Sequence, residues 1–163
     1  MKTFLTNKAK WIYTFFAVCV LIFGYSYSRA LLSKPKPVKD VEFSQGQIFV
    51  GENVLNVAVA DTFLSRERGL SGRESLGLDE GTFFVFQKPY RYGFWMKDML
   101  FPLDIIWMDS DLVVNHIEKE VSPDTFPKNF YPESDSLYVL EISSGNADRL
   151  GIKIGDKIIF RKE

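Results

Sequence analysis

Two patterns of apolar residues divide the chain. The eighteen residues from Trp11 to Ser28, bracketed by Lys10 and Arg29, carry no charge, and residues 11–23 form an almost unbroken apolar run. A helix rising about 1.5 Å per residue needs roughly 17–25 residues to cross the hydrocarbon layer of a bilayer. The run therefore predicts an N-terminal transmembrane helix within residues 1–28, with Gly24–Ser28 in the interface. Trp11, Tyr13, Tyr25 and Tyr27 sit near its ends, where amphipathic rings favour the headgroup region. Lys2, Lys8 and Lys10 precede it as a basic n-region. The expectation is a signal anchor with the following domain outside the cytoplasm. Secretion after cleavage, with Ser26 and Ser28 as the small residues, is the alternative. In residues 29–40, Pro35 and Pro37 disfavour helix and predict an extended basic linker.

From Val41 onward the apolar runs become short and strand-like. Residues 47–50 and 54–60 are β-rich and flank a turn signal at Gly51-Glu52-Asn53. Asp61 or Thr62 is placed to cap a helix through Leu70, with Phe63, Arg66 and Leu70 on one face. Further strands are predicted over 82–86, 92–96, 103–108, 112–118, 137–142 and 157–160, with a polar turn at Asp109-Ser110-Asp111 and one helical turn over 146–150. Pro123 to Pro132 reads as a loop, serving either as a lid or as an irregular segment. At least seven short strands with one or two short helices predict a mainly β fold over 41–163, an antiparallel sandwich or barrel.

Composition narrows the chemistry. At 46% hydrophobic the chain is too apolar to be disordered, and one Cys with one His excludes an internal disulfide and any multi-Cys or multi-His metal centre. No cofactor is expected. The formal net charge of −1 conceals two unlike parts. Residues 1–40 hold seven Lys/Arg against one acid, +6, and residues 41–163 hold thirteen against twenty, −7. The basic part belongs with the stem, so nucleic acid is not an expected partner. The membrane, through residues 11–28, is.

Phe94-Trp-Met-Lys-Asp-Met-Leu-Phe-Pro-Leu-Asp104 resembles the signature of the family called domain of unknown function 192, usually written with Trp-Met-Lys-Asn-Thr and Pro-Leu-Asp. Arg66-Glu-Arg-Gly-Leu70 with Arg73, and Gly81–Phe86, resemble its earlier blocks. Val139-Leu-Glu141, Gly145 and Gly155-Asp156 resemble its last. The resemblance spans about residues 47–160 with the blocks in order. It implies a small mainly β domain, often behind a signal sequence or anchor, and brings no established reaction with it. The chain departs from the family in having Ser65 where Glu is usual, Ser71 and Thr82 where Met is usual, and Asp98-Met99 for Asn-Thr.

Within this stretch, Asp104 interrupts an apolar run, where a carboxylate is costly unless it is paired or exposed. It is expected either to pair with Arg66, Arg68, Arg73 or Lys97 or to face a ligand. Glu141 is similarly set between Leu140 and Ile142, although simple alternation would expose it. Trp95 and Lys97 share a face by the same alternation, an aromatic platform beside a cation that suits a sugar, a carboxylate or a planar ligand. Phe126, Phe130 and Tyr131 either close over a pocket or pin their loop to the sheet. His116 lacks a nucleophile partner, and Asp109-Ser110-Asp111 lacks the remaining ligands of a calcium loop. Three functions are compatible with these residues. The first is a membrane-tethered small-ligand binding or accessory module of the cell envelope, using Arg66, Arg68, Trp95, Lys97, Asp104 and Glu141 with no catalytic residue. The second is a hydrolase pairing Asp104 with Glu141 or Asp98. The third is a purely structural or interaction domain.

Overall fold

The computed structural model describes residues 41–163; the expected anchor (1–28) and linker (29–40) lie outside the described residues. Seven strands form one sheet: β1 (Ser44–Val50), β2 (Asn53–Ala60), β3 (Glu80–Tyr90), β4 (Leu103–Met108), β5 (Val114–Val121), β6 (Ser136–Ser143) and β7 (Ile159–Lys162). Two short helices, α1 (Phe63–Arg68) and α2 (Asn146–Arg149), and a 3-10 turn at Pro123–Thr125 complete the described elements.

The strand order is β5-β4-β6-β3-β2-β1-β7. All neighbours are antiparallel except β2 and β3, which run parallel in register Asn56↔Glu80 to Ala60↔Phe84. This corrects the fully antiparallel expectation. Parallel neighbours need a crossover connection of a dozen or more residues, and residues 61–79, including α1, supply it. One sheet also replaces the two sheets of a sandwich. Its outer strands approach each other at one end, where Val113 bridges Lys157, Val114 N donates to Asp156 O (2.9 Å) and Ile158 N to Leu112 O (2.9 Å). The sheet thus curls towards a barrel without closing along its length.

Curling separates two cores. Inside the curl, Ile48, Leu55, Val57, Phe83, Ile106, Leu140 and Ile142 pack together. On the outer face, Phe84, Leu103, Ile105, Trp107 and Val139 pack against Phe94, Met96, Met99 and Phe130. Coverage on both faces explains why β4 is apolar at nearly every position and buried at all of them.

The outer cover comes from residues 91–102 and the Pro-rich loop. Residues 92–96 are not a strand as expected; Phe94 alone bridges Phe130. Both edges of β4 are already paired, with β5 and β6, so this segment lies over the sheet instead of joining it. The predicted alternation nevertheless survives in burial, with Phe94 and Met96 inside and Trp95 and Lys97 outside. Phe130 is buried and pins its loop through paired backbone bonds with Phe94 (2.9 and 2.8 Å).

The cap of α1 is Thr62. Its hydroxyl accepts from Ser65 N (3.1 Å), and Ser65 Oγ accepts from Thr62 N (3.0 Å), a reciprocal capping box. Of the face expected to be shared, Leu70 is buried but Phe63 is largely exposed. Thr62→Ala removes half the box and is expected to cost about 1 kcal/mol in urea unfolding. A loss below a few tenths of that figure shows that the cap is idle.

Candidate functional site

The crossover helix, the end of β3 and the 91–95 segment surround a cavity of about 730 Å³ on the outer face. Its walls are aromatic, with Phe84 and Phe86 from β3 and Tyr92, Phe94 and Trp95 from the covering segment. Strand alternation aims Phe84 and Phe86 to one side of β3 while Phe83 enters the inner core. Phe86 stacks on Tyr92 with centroids 3.5 Å apart, and Phe94 meets Phe84 edge-on at 4.8 Å.

Trp107 holds this wall from below. Its indole Nε1–H donates to Tyr92 O (3.0 Å), and its ring meets Phe94 edge-on at 5.7 Å. Trp107→Phe keeps most of the volume but leaves the partly buried Tyr92 carbonyl without its donor. We expect a loss of about 1–2 kcal/mol and faster hydrogen exchange at Phe94. Unchanged exchange there would mean that the wall does not depend on this bond.

Glu141 reaches the cavity from β6, where it pairs with Ile105 and Thr82. It is only 5% exposed, and its carboxyl has no hydrogen-bond partner among the described residues. Removal from water disfavours its charged form and pushes its pKa up to about 8, so at neutral pH the group is mostly a neutral acid able to donate. Gly69 makes room above it. With φ 47° and ψ −130° this residue adopts backbone that only glycine adopts readily, and a Cβ would stand 3.2 Å from the Phe84 ring and 3.7 Å from Glu141 Oε2. The expectation that alternation would expose Glu141 is corrected, because the outer face of β6 is itself covered.

Arg66 Nη1 donates to Asp61 O (2.7 Å) and Val85 O (2.9 Å), and its Cζ lies 5.3 Å from the centroid of the Phe86 ring. These contacts fix α1 to the end of β3. Arg68 and Lys88 line the cavity, are exposed, and make no ion pair among the described residues. Trp95 lines it at 48% exposure, braced edge-on by Phe126 at 6.0 Å. Lys97 Nζ is 5.8 Å from the Trp95 centroid but outside the lining.

Asp104 lies elsewhere. It is fully buried opposite Ile142, on the inner face, while Glu141 opposite Ile105 faces outwards. It forms none of the expected ion pairs with Arg66, Arg68, Arg73 or Lys97; Arg73 pairs instead with Glu80 (2.9 Å). Asp104 Oδ1 accepts from Glu120 N (2.9 Å) and Oδ2 from Ala147 N (2.8 Å). Backbone amides replace the cation because the irregular end of β5 and the first turn of α2 each bring one N–H group to the buried carboxylate. The carboxylate pair Asp104–Glu141 required for the hydrolase is therefore split by the sheet, and Asp98 is not in the cavity lining.

Of the residues expected to form one site, the fold brings together Arg66, Arg68, Trp95 and Glu141. Phe84, Phe86, Tyr92, Gly69 and Lys88 were not anticipated as lining residues. The period-two pattern of β3 carried a signal for Phe84 and Phe86; nothing local carried one for Gly69 or Lys88.

Comparison with known proteins agrees with this architecture. The DUF192 family model, described as Uncharacterized ACR, matches residues 46–160. A crystal structure from Novosphingobium aromaticivorans DSM 12444, of a protein of unknown function, is similar at 32% identity and a TM-score of 0.66, covering 77% of this chain and 91% of that one. A second, from Sinorhizobium meliloti 1021 and described as a "putative transcription regulator", is similar at 26% identity and a TM-score of 0.68, covering 74% and 97%. Nothing among curated proteins matches the chain.

The geometry also accounts for two departures from the family pattern. Ser65 performs the reciprocal capping expected of Glu at that helix position. Asp98 has φ 56°, a left-handed conformation that Asn and Asp tolerate better than most residues. The blocks that carried the resemblance thus lie in one folded domain, and the chain belongs to the DUF192 family, domain of unknown function 192, through residues 46–160.

Proposed function

We propose that this domain is a small-ligand binding module of the cell envelope, tethered to the membrane through residues 11–28. The observation that carries the binding reading is the cavity of about 730 Å³ with an unpartnered, nearly buried carboxyl at its inner side. Ligand sites are typically about 300–1,000 Å³, largely apolar, with a few convergent polar groups. Among the described residues the buried side-chain atom left without a partner is Ser44 Oγ, so the Glu141 oxygens are not sealed off but open to the cavity, where a ligand atom can take the place of water. Trp95 leaves aromatic surface at the outer side for the same occupant. The splitting of Asp104 from Glu141 favours binding over two-carboxylate hydrolysis. The description of the Sinorhizobium relative is not carried over, because a domain at −7 repels a phosphate backbone.

Two measurements test this reading. Trp95→Ala removes cavity wall at an exposed position, so it should keep the fold and weaken capture of small molecules from a fragment library by about tenfold. Equal binding by the variant would place the fragments elsewhere. For the tether, the full chain should sediment with membranes and its domain should be digested by protease added to spheroplasts. A chain beginning at Val41 should stay soluble. Protection from the protease, or a soluble full chain, overturns the proposed placement.

A further inference from the structure

The cavity lining differs in charge from the domain around it. Residues 41–163 carry −7, yet the lining holds Arg66, Arg68 and Lys88 against Glu67 and Glu141. With Glu141 neutral, the lining is left at +2. The cations lie towards solvent: Arg68 and Lys88 are exposed, and Arg66 is half-buried, with Nη1 bonded to two carbonyls while no bond among the described residues engages Nη2. The carboxyl of Glu141 lies at the buried side. Aromatic rings, among them Phe84, Phe94 and Trp95, line the same cavity.

We infer that the occupant is a small organic anion with a flat apolar body. Its charged group lies among Arg66, Arg68 and Lys88, its body rests against Phe84, Phe94 and Trp95, and its far end offers a hydrogen-bond acceptor to Glu141. This rests on the binding reading above and adds the ligand's class. An ammonium ligand would suit aromatic rings and a carboxylate. Here it meets three lining cations, and Arg66 already lies near the Phe86 ring. A neutral ligand leaves those cations without a role. Charges screen over about 10 Å at 0.1 M salt, so the local surplus of cations governs an anion inside the cavity more than the acids on distant faces do. The protonated carboxyl supplies an O–H, so the ligand atom against it must accept.

The test uses the full chain in detergent with three probes of one shape, 4-acetylbenzoate, the neutral 4-acetylbenzamide and the cationic 4-acetylbenzylamine, and a fourth, benzoate, which lacks the acetyl acceptor. Binding is read from amide NMR shifts at Gly69, Phe94 and Trp95 at pH 6. The expected result is 4-acetylbenzoate binding about tenfold more tightly than the amide or the amine, with benzoate several-fold weaker. The double variant Arg68→Ala/Lys88→Ala alters only exposed side chains and should erase the preference for the anion without changing the circular dichroism. If the amide or amine binds as well as the anion, the ligand class is wrong while the binding reading stands. If the preference survives the double variant, the cations are not the recognition element and the inference falls. If no probe shifts those resonances at millimolar concentration, the binding reading falls and this inference with it.

Discussion

Replacing Glu141 by glutamine is expected to stabilise the protein at pH 8 and to change its stability little at pH 4.5. In the fold, the carboxyl pKa is pushed from 4.5 to about 8, by burial alone. Between those values the unfolded chain has released the proton while the folded chain keeps it. The folded state then binds more protons, so stability falls as pH rises, by up to about 1.4 kcal/mol per pH unit. Below the unfolded pKa both states are protonated, and the destabilisation is absent. It accumulates through neutrality and levels off once pH passes the folded pKa. By pH 7 it amounts to something on the order of 3 kcal/mol, a large part of a typical domain stability of about 5–15 kcal/mol.

Glutamine keeps the shape, has no charge to desolvate and does not titrate. Other groups titrate in both proteins, Asp61 among them, whose carboxyl is held below its ordinary value by its hydrogen bond to Lys162. The quantity to measure is therefore the difference between the two urea-unfolding free energies at several pH values, followed by tryptophan fluorescence. A difference that is flat from pH 4.5 to 8 rejects a buried protonated acid. Keeping such a residue despite its cost is intelligible if the neutral carboxyl serves an occupant of the cavity. A ligand that bonds to the protonated form should raise its pKa further and bind more weakly as the group ionises.

The second large effect is expected at Asp104. Asp104→Ala removes the acceptor from two backbone amides, one of them buried, and should cost about 3–5 kcal/mol. Those amides belong to special places in the chain. Glu120 has φ 53° and Gly145 φ 80°, so the backbone is held in left-handed conformation at a register shift near the end of β5 and just before α2. Gly145, as the N-cap of α2, has no side chain to cap with, and Asp104 reaches across from β4 to accept from Ala147 N instead. Asp104→Asn retains one acceptor oxygen and turns an NH2 towards the other amide, so about 2 kcal/mol is expected. Hydrogen exchange should accelerate at Ala147 and Glu120 in both variants. Because Asp104 lies on the face opposite the cavity, Asp104→Asn should still bind the aryl anion where it remains folded. A variant with native stability but lost binding would move Asp104 into the site and reject its structural role.

Much of this domain was legible in the order of its residues. Hairpin β1–β2 followed from a β-rich run on each side of Gly51-Glu52, and the observed register pairs Val50 with Asn53 across that turn. Asp61 or Thr62 announced the start of α1, and Thr62 is the residue that caps it. The apolar run 103–108 announced a buried strand, and six residues in succession are indeed buried. These signals are local, because propensity, capping and turn chemistry act over a few neighbours. The parallel pairing of β2 with β3 was not legible, since crossover direction depends on how residues 61–79 pack and not on the composition of either strand.

The candidate site divides the same way. Sequence by itself determined which residue types were available: Arg66 and Arg68 on the helix, Trp95 beside Lys97, and carboxylates set in apolar runs at 104 and 141. It could not determine which of the two faces of a doubly covered sheet each carboxylate would take. Adjacent residues of a strand point to opposite sides, and on a sheet open to water on one face that suffices to sort buried from exposed positions. Here both faces are covered, so burial no longer reveals orientation. Pairing register decides it: Asp104 opposite Ile142 turns inward to two backbone amides, and Glu141 opposite Ile105 turns outward beneath Gly69. Two similar residues in similar runs thus acquire a satisfied structural role and an unsatisfied place in a cavity, and only the tertiary structure tells them apart.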